Sequence, residues 1–348
     1  MNVWASLILS LIAIGIVVMV GAVGGAFVQF ADVGVAKVAA GIFGVWIPAI
    51  AFVLFIAGFI WAVVKWSRSP QPFNIPTTCG QQKSLPWIKH NKLESPHTKG
   101  QVVLRMILEV LLFRSLFRNT RLVFKDGKPM YGPNQWLWVF ALAFHYAFLV
   151  VVIRHLRFFT EPMPGAVQLL ESLDGFLQLG VPGVLISGFV LGGAATMLLL
   201  RRLVFPNMRY ISLPNDYFPL LLVLTIAGTG ILMRHVFKVD IVAVKGMMMG
   251  LVNFNPTYPA GLGLLFFIHL FCVCVLIAYF PFSKLMHMGG VFLSPTRNLP
   301  NNSREVRRLN PWNPKVKFHT YEEYEDEFRD RMIEAGLPVD KQPVAEEE

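Results

Sequence analysis

The chain has 348 residues, 55% of them hydrophobic and only 15% charged, with a formal net charge of +10. So much apolar side chain at so low a charge excludes an ordinary soluble enzyme of one or two domains. The basic excess is not a nucleic-acid signature, because it lies in the segments flanking apolar runs, while residues 321–348 hold 11 Asp/Glu against three Lys/Arg.

Residues 1–31 carry no charge, which predicts a first membrane span over about 3–28. No Lys or Arg precedes it and its apolar run is too long for an h-region, so a retained helix is expected rather than a cleaved signal. A second charge-free run, Val38–Val64, predicts a span over about 39–65. Both spans are rich in Gly and Val, without ionisable groups in their charge-free runs, and read as packing and anchoring elements. Residues 66–135 form a basic loop with 11 Lys/Arg and five prolines before residue 97. Within it, 101–124 reads as an amphipathic helix lying on the membrane interface or against a partner.

Trp136 and Trp138 open a third span as interfacial anchors, and the span runs to about Phe159. The charge-free runs Gly175–Leu200, Tyr217–Met233 and Gly246–Ser283 supply three more. The sixth covers about 261–282, continues past Pro281, and follows an irregular loop from Asn253 to Pro259. The fold expected is an all-α polytopic bundle of about six transmembrane helices in four regions: 1–65, the basic loop 66–135, a four-helix region 136–290, and a tail 291–348. The acidic end of the tail, closing on Glu346-Glu347-Glu348, reads as a solvated, disordered segment.

With six spans, one side of the bilayer holds both termini, the 66–135 loop with its 11 Lys/Arg, and the 201–216 loop with Arg201, Arg202 and Arg209. The other side holds only Lys37, Arg154, Arg157, Arg234, Lys238 and Lys245. The basic side is therefore expected to be cytoplasmic and the protein to reside in the cytoplasmic membrane.

Four of the eight histidines, His145, His155, His269 and His287, fall in or directly beside the third and sixth spans. An ionisable group inside a span is costly and marks a functional site. Antiparallel spans pair His155 with His269 and His145 with His287, one pair per leaflet, as axial ligands of two haem b irons. Such bis-histidine ligation fills both axial positions and suits electron transfer rather than oxygen chemistry. On straight helices the ten-residue spacing rises about 15 Å and the eighteen-residue spacing about 27 Å, a mismatch that helix tilt, side-chain reach, tilted haem planes and a kink at Pro281 can absorb. The haem would not be covalently attached, since no Cys-x-x-Cys-His is present. With three cysteines, Cys79, Cys272 and Cys274, the chain does not supply an iron–sulfur cluster, so clusters must come from a partner. A haem-free transporter or anchor with proton-relaying histidines is the alternative. The lack of repeats and of paired intramembrane carboxylates stands against it.

At these residues the chain resembles a known family. Phe144-His145, then His155 followed by Phe158-Phe159, is similar to a haem-bearing span of respiratory nitrate reductase gamma subunits. The run from Phe267-Ile268-His269 through Phe280-Pro281-Phe282-Ser283-Lys284-Leu285-Met286-His287 resembles that family's last span, and Leu198–Pro206 its inter-span loop. Over the whole chain, the extra first helix, the segment 72–79, Gly230–His235 and Ser294–Asn298 resemble the DsrM family, cytochrome b subunits of sulfite-reduction-associated DsrMKJOP complexes. The resemblance implies two haem b, exchange with the menaquinone pool, and a cytoplasmic iron–sulfur subunit related to heterodisulfide reductase. It also implies other membrane and periplasmic subunits and coupling to a sulfur carrier protein; the equivalent subunit of a heterodisulfide or nitrate reductase is the neighbouring reading. One departure stands out: nitrate reductase relatives carry a lysine at the outer quinone pocket, whereas residues 159–200 contain none. By position, Arg154, Arg157, Arg234 and His235 are candidates to contact quinone or haem propionates. Glu161, Glu171, Asp174 and His235 are candidates to accept a proton.

Overall fold

The computed structural model describes residues 3–69, 80–177, 183–258, 261–303, 305–306 and 317–341. Cys79 with the segment 72–79, and the terminal Glu346–Glu348, lie outside the described residues. The chain divides into two units, one holding the membrane helices up to Asn302 and the other formed around the tail from Ser303.

In chain order the first unit comprises α1 (Val3–Phe30), α2 (Val33–Gly41), α3 (Ile47–Ser67), α4 (Lys99–Leu112), α5 (Arg114–Phe117), a hairpin of β1 (Thr120–Lys125) and β2 (Lys128–Pro133), and α6 (Gln135–His155). It continues with α7 (Gly165–Asp174), α8 (Ile186–Val204), α9 (Pro206–Ile211), α10 (Pro214–His235), α11 (Ile241–Val252), α12 (Leu264–Tyr279) and α13 (His287–Leu293). A π-helical turn over Ile42–Trp46 joins α2 and α3 into one span. Six helices among the described residues are long and apolar enough to cross a membrane, and the protein is a multi-pass helical membrane protein.

The sixth span is the axis of the bundle: 39% of its apolar window is buried, against 11–22% for the other five. Its Ile268, Cys272 and Leu276 pack with Leu191 of α8, Leu222, Val223 and Ala227 of α10, and Ala147 of α6. Two glycines bring α1 against it. A Cβ on Gly21 would lie 2.9 Å from the Ile268 Cα, and one on Gly25 2.9 Å from the Leu264 Cα. Only a side chain of hydrogen lets the backbones approach that closely, the small-residue packing typical of helices in lipid.

Several elements differ from the sequence reading. The helix expected over 101–124 stops at Leu112, because Phe113 takes a left-handed conformation (φ 50°, ψ 46°) that turns the chain into α5. From Thr120 the chain is a β-hairpin, reversed at Asp126-Gly127, both with positive φ (53° and 74°), as a two-residue hairpin turn requires. The fourth span begins at Ile186 rather than near Gly175, and two short helices, α7 and α11, occupy loops between spans.

The second unit holds a helix where the acidic composition suggests disorder. Its helix α14 (Tyr321–Glu334) opens on a capping box between Thr320 and Glu323. Glu325, 1% exposed, accepts the backbone N–H groups of Asp340 and Lys341 at 2.7 and 2.8 Å, tying the returning chain to the helix. Those N–H groups hold its carboxyl below the usual carboxylate range.

Candidate functional site

α6 and the span formed by α12 and its continuation carry the four histidines. The structure brings them together in two pairs. The rings of His155 and His269 have centroids 6.5 Å apart and lie nearly parallel, at 14°. The rings of His145 and His287 have centroids 5.9 Å apart and stand nearly perpendicular, at 83°. Imidazole nitrogens bound about 2 Å from a shared metal put their ring centres roughly 6 Å apart, so either pair would have room for one metal between its rings.

The second pair depends on a break in the sixth span. α12 ends at Tyr279, a 3-10 turn follows over Phe280–Phe282, and Ser283 is extended (φ −122°, ψ 176°) before a second 3-10 turn over Lys284–Met286. The straight eighteen-residue rise therefore does not exist. Lys284 Nζ pairs with Asp216 at the start of α10, 2.8 Å away, and ties down the turn that presents His287.

Each imidazole is committed at Nδ1. His145 Nδ1 lies 2.7 Å from the Ala141 carbonyl, His155 Nδ1 2.7 Å from that of Val151, and His287 Nδ1 2.8 Å from that of Lys284. A carbonyl only accepts, so these three nitrogens donate. His269 Nδ1 faces the Thr229 hydroxyl at 2.9 Å. That hydroxyl places its own proton on the Thr225 carbonyl, 2.7 Å away, and so accepts from His269. In the neutral ring this leaves the Nε2 lone pair free on all four, the tautomer and second-shell bonding that metal-ligating histidines use. Among the described residues no group of three or more His, Cys, Asp or Glu could hold a metal ion. Donors that come strictly in twos match a metal whose equatorial positions are filled by a macrocycle, and the residues therefore fit haem.

We call the end of the bundle bearing α4, α5 and the hairpin the basic end, and the opposite one the far end. At the far end Arg154 is buried against Asp174, and its guanidinium also donates to the Ser187 hydroxyl at 2.8 Å. Asp174 further accepts the Ser187 backbone N–H at 2.7 Å and its hydroxyl at 2.6 Å, so α6, α7 and α8 meet at one ionic cluster. Arg157 pairs with Glu171, and Lys245 with Glu161. Arg234 donates to the Gly183 carbonyl at 3.2 and 2.9 Å, and His235 packs its ring 5.8 Å from that of Phe189. Beside the cluster lies an open cavity of about 320 Å³ between α6, α7 and α8, with Asp174 and Ser187 at its polar corner and Tyr146, Leu173, Ile186 and Val190 among its walls.

At the basic end the buried carboxylate is Glu94. Burial alone would raise it, but Arg114 and Arg118 bind it and hold its carboxyl below the usual range. Arg105 donates to the Glu94 carbonyl at 3.4 Å. Nearby Arg297 pairs with Glu109 and donates to the Ser115 hydroxyl at 2.9 Å, while the Asn301 amide donates to Ser95 at 2.8 Å. The segment before α4 and the segment after α13 are thus knotted together.

Sequence reasoning missed Thr229, Ser187 and the Asp174–Arg154 pairing. A signal for Thr229 existed, a hydroxyl between two glycines (Gly228 and Gly230) inside an apolar span.

The model of the nitrate reductase gamma subunit family matches residues 106–307. The chain is 43% identical over 280 residues to an Hdr-like menaquinol oxidoreductase cytochrome b-like subunit of Archaeoglobus fulgidus, an alignment covering 78% of this chain and 84% of the relative. The protein of the same description from Archaeoglobus profundus is 45% identical over 278 residues, 77% of this chain and 82% of the relative.

Proposed function

This chain belongs to the nitrate reductase gamma subunit family, and from that premise we propose that it is the dihaem b membrane subunit of a quinone-linked oxidoreductase complex. In this reading electrons pass between menaquinone and a cytoplasmic iron–sulfur subunit related to heterodisulfide reductase. The observation that carries it is the pair of facing histidine pairs, at 5.9 and 6.5 Å, with every Nδ1 already engaged. His145 and His287 would hold one haem, His155 and His269 the other. When bound, two haem b supply one-electron carriage from one leaflet to the other.

The protein's own groups do the rest. A neutral imidazole at His145, His155 and His269 would bring no cation into the spans. Two histidines held to each haem would leave the iron no position for oxygen or substrate. The far-end cavity has the apolar walls and polar corner that a quinol ring with an isoprenoid tail needs. Quinol oxidation releases two protons, and among the described residues Asp174 is the far-end carboxylate that is both buried and part of the cavity wall; Glu171 and Glu161 are bound by Arg157 and Lys245 outside it. Arg154, held by Asp174, and Arg234 are the cations available to propionates or to the quinone oxygens. With the basic end cytoplasmic by its Lys/Arg excess, the knotted surface there faces the soluble partner.

The finer assignment, to a complex of dissimilatory sulfur metabolism, is supported by the whole-chain resemblance to sulfite-reduction-associated cytochrome b subunits and by relatives described as Hdr-like. The test is haem stoichiometry from the pyridine haemochrome of the full chain in membranes and in detergent. Two low-spin b haems per chain, oxidised by a menaquinone analogue, are expected. No haem in either preparation would overturn the proposal.

A further inference from the structure

The ring of Phe113 stands edge-on to His145, with centroids 4.9 Å apart and an 89° interplanar angle. Phe144 meets the same imidazole at 5.2 Å and 78°. Together with the Nδ1 bond to Ala141, these two rings leave His145 no freedom about its own axis. Phe113 reaches this position only by adopting a left-handed backbone, φ 50° and ψ 46°, a conformation unfavourable for a bulky residue unless its surroundings impose it. Here they do. The Trp138 indole and the Tyr146 hydroxyl, both on α6, donate to the last two carbonyls of α4, Leu112 and Leu111, at 2.7 and 2.9 Å, groups a helix terminus cannot satisfy by itself. α6 thus clasps the end of α4 and drives the following residue onto its own histidine.

Resting on the reading that the four histidines carry haem, we propose that Phe113 is a positioning residue that holds the His145 imidazole perpendicular to that of His287, making the basic-end haem electronically distinct from the far-end one. At the far-end pair, among the described residues, the one phenyl ring against either imidazole is that of Phe158, 5.8 Å from His155, and the two imidazoles lie nearly parallel at 14°. Ring orientation matters because each axial imidazole donates π density into the iron d orbital perpendicular to its plane. Parallel rings load one orbital and split the pair, giving a rhombic low-spin ferric signal. Perpendicular rings load both alike, leaving them nearly degenerate and the signal strongly anisotropic with its main feature at larger g. Second-shell groups that orient a ligand thereby tune the metal.

The experiment is low-temperature EPR with an optical redox titration on the full chain in membranes, for wild type, Phe113→Gly, Phe113→Leu and Phe113→Tyr, each with haem content measured. Wild type should give one strongly anisotropic and one rhombic signal. Phe113→Gly relieves the left-handed backbone yet removes the ring, so a merely structural role predicts an equal or better fold with unmoved signals. We expect instead that Phe113→Gly and Phe113→Leu move the anisotropic signal toward rhombic and shift the midpoint potential of that haem alone, and that Phe113→Tyr retains both signals. Unmoved signals in both truncations, or equal movement of both haems, would overturn the proposal. Two wild-type signals of the same kind would overturn it while leaving the dihaem reading intact, whereas a wild type without haem removes both.

Discussion

The two ends of the bundle solve the same problem differently. Each has a histidine pair, and each has a buried carboxylate bound by arginine. At the far end both histidines sit on regular helices, and Asp174 is held by one guanidinium and one serine, a compact cluster linking three neighbouring helices. At the basic end His287 follows a broken helix, and Glu94 is approached by Arg105, Arg114 and Arg118, in a knot that also draws in Glu109, Arg297 and Asn301. A pair served by continuous helices needs little support. A pair that depends on a turn needs the loops around it fixed, and here loops more than 180 residues apart in sequence do the fixing.

Histidine replacement tests the comparison most severely. His269→Ala and His145→Ala should each lower the haem content from two to one per chain, each deleting a different spectral component; retention of both haems in either variant would break the assignment of ligands. Next comes Arg154→Met, which strands Asp174 without its cation. Breaking a buried pair from one side costs about 3–5 kcal/mol, so thermal unfolding in detergent should show a large fall. Arg114→Met at the basic end should fall much less, because Arg118 still binds Glu94, and equal losses would erase the distinction between cluster and knot.

A smaller effect is expected for Thr229→Val, which removes the acceptor of His269 Nδ1 while keeping the side-chain shape. Loss of such an outer-shell bond typically weakens metal binding about 10–100-fold, read here as faster haem loss from the far-end pair only. The mildest test is pH. The folded-state pKa of Glu94 lies below its ordinary value, so its contribution to stability is present above the unfolded carboxylate pKa and lost as pH falls through the folded one. Hydrogen exchange of residues 80–98 should therefore be slow at neutral pH and accelerate below the usual carboxylate range, with the spans still protected. Unchanged exchange through that range would show that Glu94 is not what orders the segment.

Most of the bundle could be read from the chain because a bilayer leaves so few options. A charge-free run of about 20 residues has one fate, and histidines within or beside it stand out against hydrocarbon. The regions that escaped reading are those where short-range chemistry competes with pattern. The helical run 101–124 is cut at Phe113 by capping from α6, which no local periodicity encodes. The hairpin turn at Asp126-Gly127 did carry a local signal, masked by the apolar spacing on either side. The tail, acidic enough to suggest disorder, orders around Glu325 because two backbone N–H groups and Arg329 satisfy it. The Arg154–Asp174 pairing spans 20 residues and depends on where α7 turns, which is a tertiary fact.

The glycine seam of α1 has a consequence for how the protein is made. Gly21 and Gly25 fit against Leu264 and Ile268, so α1 takes its partner from a span made some 240 residues after it. At about 5–20 residues per second, some 240 residues of synthesis impose a delay of roughly 10–50 s. During that interval a groove shaped for another backbone faces lipid. A chain that stops early keeps that groove open, giving membrane quality control a mark by which an unfinished bundle differs from a finished one.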